Sequence, residues 1–98
     1  MKVHWAARAL LRLDEIHAYI AQDNPEAAKR VVAQIAARAA QITTFPRSGR
    51  RVRDYARDDV RELIEGQYRI VYRVDTQHIV VLTVKHCAQR LPSSLRKR

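Results

Sequence analysis

Apolar positions change period twice along the chain, and the changes mark out its elements. Lys2 to Trp5 alternates, with Val3 and Trp5 on one side, which predicts a short first strand. From Ala7 the spacing turns helical. Leu10, Leu13, Ile16 or His17, and Ile20 form one stripe up to about Gln22, against which Trp5 closes the strand. Asn24 is a favoured N-cap, and Pro25 suits the first helical position, where its missing N–H costs nothing. A second helix therefore starts there and runs through Ala28, Val31, Val32, Ile35, Ala36, Ala39 and Ile42. Its small residues permit close packing on the first helix. Thr43 and Thr44 fray it, and Pro46 ends it.

Phe45 to Asp59 holds Pro46, Gly49 and five arginines (Arg47, Arg50, Arg51, Arg53, Arg57), which predicts a surface loop anchored by Phe45 or Val52. The period then becomes two. Val60 to Glu65 reads as a strand, Gly66 and Gln67 as a tight turn, and Tyr68 to Val74 as a second strand. Tyr68, Ile70, Tyr72 and Val74 share one face of it; Arg69, Val71 and Arg73 share the other. After a turn from Asp75 to His78, Ile79 to His86 is almost continuously apolar, as a central strand would be. Gln89 to Arg98 is a basic tail with Leu91 and Leu95 at helical spacing, interrupted by Pro92. The expected fold is a single α+β domain over residues 1–98, ordered β-α-α-β-β-β. Its last three strands form an antiparallel sheet, and a helical hairpin packs on one face, which leaves the other face for a partner.

Charge narrows the partner. The 98 residues include 19 Lys and Arg against 10 Asp and Glu, a net +9, of which +7 falls from Arg47 onward. A surface of this kind suits nucleic acid, a ribonucleoprotein or an acidic protein. No apolar stretch approaches the ~20 residues a membrane helix needs. Lys2, His4 and Arg8 interrupt any signal-peptide core, so a cytoplasmic location is expected. The single cysteine, Cys87, has no disulfide partner within the chain and no metal-site spacing to the histidines. There is no Gly-rich phosphate loop either. Neither metal nor cofactor is implied.

The chemistry that remains is cationic. Arg61, Arg69 and Arg73 on adjacent strands, with His86 and Arg90 beyond them, contain the groups that RNA cleavage needs. Arginines stabilise phosphorane charge, and an imidazole moves the proton of a 2′-hydroxyl. The same arginines equally suit pairing with the carboxylates of an acidic partner, and a strand-end histidine equally suits a structural hydrogen bond. Tyr68 and Tyr72 lie on the face expected to meet the helices, as core residues and not as base-stacking platforms.

Four segments, YIAQDNPEAA, FPRSGR, DVRELIEGQYRIVYRV and IVVLTVKHCAQRLP, resemble in order and spacing the RelE/ParE toxins of bacterial type II toxin–antitoxin systems. The resemblance spans nearly the whole chain. It implies a small toxin that halts growth and is neutralised by an acidic, partly disordered antitoxin, the pair binding operator DNA through the antitoxin. RelE-like members cleave mRNA on the ribosome; ParE-like members poison DNA gyrase. Arg69 falls at a RelE-type arginine position, but Val60 and Glu62 stand where a RelE-type nuclease carries lysines, and Arg61 between them faces the other way. VKHCAQRLP, with His86 and no tyrosine after it, is closer to ParE. The expectation is thus a ParE-like toxin that binds gyrase. Its antitoxin- or target-binding residues would be Arg50, Arg51, Arg69, Arg73, Lys85 and Arg90. The alternatives are a ribosome-dependent mRNA endonuclease using Arg61, Arg69, His86 and Arg90, and an inactive relic that binds only its antitoxin.

Overall fold

The computed structural model describes residues 1–53, 55 and 57–88. The tail from Gln89, and with it Arg90, Leu91 and Leu95, lies outside the described residues. Among them the elements run β1 (Lys2–Trp5), α1 (Ala7–Ala21), α2 (Pro25–Ala40), a 3₁₀ turn (Gln41–Thr43), β2 (Arg50–Arg51), β3 (Val60–Glu65), β4 (Tyr68–Val74) and β5 (His78–His86). Asn24 caps α2 as its identity predicts, its Oδ1 accepting from the Ala27 N–H at 3.0 Å. Ala6 precedes α1 without a side-chain cap. The α2 stripe extends to Ile42, but its last turn tightens to 3₁₀ pitch, a common helix ending. Gly66 supplies the left-handed φ of +60° that the β3–β4 turn requires.

The sheet order is β1-β5-β4-β3-β2. β3, β4 and β5 form the expected antiparallel meander, while β1 lies parallel to β5 and makes the sheet mixed. Two features depart from a simple meander. Arg50 and Arg51, within the expected loop, pair with Glu62 and Arg61 as a fifth strand. A bulge also interrupts β4–β5: Val71 pairs with Thr83 and Tyr72 with Val81, so Leu82 is the extra residue.

The main core lies between the helical hairpin and the sheet, where Ile35, Ile42, Ile70, Tyr72, Ile79 and Val81 are buried and Trp5 packs at the margin. Each such aliphatic side chain contributes about 1.5–3 kcal/mol by leaving water. Ala9, Ala28 and Ala39 are buried in the helices. The opposite sheet face is not wholly free, because Val52 and Tyr55 fold over Val60, Val71 and Leu82 in a second, smaller core. Val52 is the loop anchor; Phe45 is 69% exposed.

Candidate functional site

Glu62 organises the basic half of the open face. It sits on β3 beside Arg50 of β2, and Arg69 approaches it from β4. Although only 3% exposed, its carboxylate is fully engaged. Oε2 accepts from Arg50 Nε at 2.7 Å, and Oε1 accepts from Arg69 Nε at 2.8 Å and lies 2.6 Å from Nη2. Two charge-assisted contacts to one arginine fork fix its orientation. Arg50, Arg51, Arg53 and Arg69 then line a depression of about 470 Å³ floored by Glu62, Ile64 and Cys87. Adjacent acids hold the remaining arginines of this side. Arg73 lies 3.4 Å from Asp75, and Arg57 Nε donates to Asp59 Oδ1 at 2.9 Å. The Arg57 hydrogen bond holds the Asp59 carboxyl below its usual range against the opposing effect of burial.

Arg61 does not join this group. In register with Tyr72, it faces the helix side, where its guanidinium donates to the Gly49 carbonyl at 3.0 Å and to Asp58 Oδ1 at 2.9 Å. It is a staple for the 47–58 loop. His86 is also on the helix side, its ring 5.7 Å edge-on from Tyr68. Its Nδ1 accepts the Ala88 N–H at 3.1 Å, so in the neutral ring the proton sits on Nε2, 3.2 Å from Gln67 Oε1. The bulge explains this placement. An unbroken β5 would carry the phase of Val80 and Leu82 through to His86 and set it on the face of Arg69; the extra residue moves it across. Arg61, Arg69 and His86, the three described members of the endonuclease set, thus do not converge.

Lys85 is the register partner of Arg69. Burial, and then the charges of Arg12 and Arg8 on α1, push its pKa down. A lysine disfavoured in its charged form costs stability at neutral pH. Lys85→Gln is therefore expected to stabilise the fold slightly at pH 7. The gain should shrink as pH approaches the ordinary lysine value of 10.5, where the unfolded chain loses the charge too. Urea titrations at both pH values check this; a loss of stability at pH 7 would contradict it.

A second depression was not foreseen from the sequence. Two adjoining clefts, of about 360 and 500 Å³, share Tyr19, Tyr68 and His86 between the hairpin and the end of the sheet. Ile16 and Ile20 supply apolar lining, and Tyr19 stands 73% exposed at the rim. The sequence signal was Tyr19 itself, a large aromatic beside the α1 stripe. Among the described residues no group of three His, Cys, Asp or Glu is placed to hold a metal, and no helix is long and apolar enough to cross a membrane.

Comparison with known proteins places this architecture. Residues 3–91 match the family described as the ParE toxin of type II toxin–antitoxin system, parDE. A Sinorhizobium fredii protein named "Putative toxin Y4kP" is 42% identical over 96 residues, covering 96% of each chain. Among solved structures, a chain of the chromosomal ParDE system from P. aeruginosa superposes with a TM-score of 0.72 at 25% identity, over 88% of this chain and 95% of that one. A chain of the Mycobacterium tuberculosis RelBE2 toxin–antitoxin complex shares the fold, with a TM-score of 0.64 at 24% identity over 90% and 92% of the two chains.

Proposed function

Since the chain belongs to the ParE toxin family of type II toxin–antitoxin systems, we propose that it arrests growth by binding DNA gyrase and that a cognate acidic antitoxin neutralises it. The observation that carries the choice of target is the dispersal of the nuclease candidates. Phosphodiester cleavage needs a proton-transfer group and a charge-stabilising group around one scissile phosphate. Here His86 and Arg69 lie on opposite faces of the sheet, and Arg61 is committed to the loop carbonyls. A toxin whose described candidates do not converge is read as acting by occupancy, and DNA gyrase is the protein that a ParE-like reading implies.

The antitoxin assignment rests on complementarity. Arg51 and Arg53, which Glu62 does not hold, and the outer edges of Arg50 and Arg69 offer guanidinium groups to carboxylates, and the cleft beside Tyr19 and Tyr68 offers apolar room for a side chain of the same segment. An acidic segment crossing both would gain association rate from charge and lifetime from burial. Operator DNA would be reached through the antitoxin alone, and the pair would work in the cytoplasm.

Induction of the toxin should lower plasmid supercoiling, and purified toxin should inhibit gyrase in vitro, while primer extension on transcripts shows no cuts at ribosomal A-site codons. A-site cuts that vanish in His86→Ala or Arg69→Ala would overturn this in favour of the mRNA endonuclease. Unimpaired growth with retained antitoxin binding would mark an inactive relic.

A further inference from the structure

A protein with a net charge of +9 is prone to bind nucleic acid indiscriminately, yet the most basic depression on this one is built around a carboxylate. Glu62 is buried, and it takes the Nε of Arg50 together with the Nε and Nη2 of Arg69. Those are the positions from which an arginine grips a phosphate with two parallel bonds. A phosphodiester that displaced Glu62 from Arg69 would strand a buried carboxylate without its closest partner, a greater penalty than one phosphate contact returns. A phosphodiester that left Glu62 in place would meet only the outer edges of both guanidiniums.

We infer that Glu62 is a selectivity residue that closes the Arg50–Arg69 depression to nucleic acid. It acts as a fixed internal anion, satisfying two of the four arginines lining the depression before any ligand arrives. The inference is independent of which essential target the toxin has, because it concerns what the face rejects.

The test is fluorescence anisotropy of a short single-stranded oligoribonucleotide with the full chain, in the wild type, Glu62→Gln and Glu26→Gln. The last makes the same charge change on an exposed turn of α2, beside Lys29. Glu62→Gln is expected to bind about tenfold tighter than the wild type. Its plot of log K against log salt should steepen by about 1.4, at ~0.7 for each arginine released. Glu26→Gln should stay within about twofold of the wild type. Equal gains in the two variants, or an unchanged slope in Glu62→Gln, would reduce the effect to net charge and overturn the inference. Should Glu62→Gln fail to fold, as judged by circular dichroism, the wild type decides the matter through Cys87, the chain's single cysteine, which is exposed and lines the same depression. Alkylation of Cys87 by iodoacetamide should proceed at the same rate with and without saturating RNA; protection by RNA would place nucleic acid in the depression and refute the role given to Glu62.

Discussion

Gly49→Ala is expected to lower the stability of the chain by about 3 kcal/mol, with a fall in Tm of roughly 15 °C. The reason is space. A Cβ at position 49 would lie 2.7 Å from the Glu62 carbonyl oxygen and would run into the Tyr72 hydroxyl. One obstacle is backbone and the other is a fully buried ring, so neither yields by a simple rotation. Relief requires the 46–49 segment to move off the sheet. That would break the Gly49 N–H to Tyr72 Oη hydrogen bond of 3.0 Å, strain the bond from Tyr72 Oη to the Pro46 carbonyl at 2.8 Å, and loosen Arg61 from the Gly49 carbonyl. The effect is large against the 5–15 kcal/mol of an ordinary domain.

Tyr72→Phe removes the hydroxyl without the clash and should cost about 2 kcal/mol, because both backbone partners lose their bond. It also has a pH signature. Burial raises the Tyr72 pKa above its ordinary 10.0, opposed by the Gly49 hydrogen bond and the charges of Arg61 and Arg38. The folded state therefore holds the proton more tightly than the unfolded one. The stability from this preference is complete below pH 10 and is lost as pH rises through the folded value. Tyr72→Phe should flatten that alkaline decline. Urea denaturation between neutral and alkaline pH measures both effects, and a Gly49→Ala chain within about 1 kcal/mol of wild type would show that the loop yields cheaply.

Arg69→Met is the second large effect, at about 3 kcal/mol of destabilisation. Among the described residues it leaves the buried Glu62 carboxylate paired with Arg50, whose side chain is 69% exposed. A buried charge that loses its better partner is expensive, whereas a matched apolar pair in the same space is not. The double variant Glu62→Leu/Arg69→Met should therefore recover most of the loss, with Arg50 turning into water. The comparison is a double-mutant cycle by chemical denaturation. A double variant less stable than Arg69→Met alone would mean that Glu62 supports the fold by some route other than Arg69.

Local sequence determined the elements because their causes are local. Asn24 and Pro25 start α2 since one side chain caps a backbone N–H and the other needs none. Strict alternation from Tyr68 to Val74 sorts the β4 side chains between the helical hairpin and the open face, where Val71 is buried under Val52 and Tyr55. The family was legible for the same reason, as four local segments in register. What only the tertiary structure decided came from contacts between residues far apart in the chain. Tyr72 ties down a loop more than twenty positions upstream, and this lets Arg50 and Arg51 become a strand and deliver Arg50 to Glu62. Neither the arginine run nor the tyrosine encodes that meeting alone. The bulge at Leu82 is the other case, since one inserted residue reverses the facing of everything after it and carries His86 away from Arg69. Alternation along β5 assigns faces only while the pairing register holds, and that register depends on how β5 packs between β4 and the helices, which no single strand records.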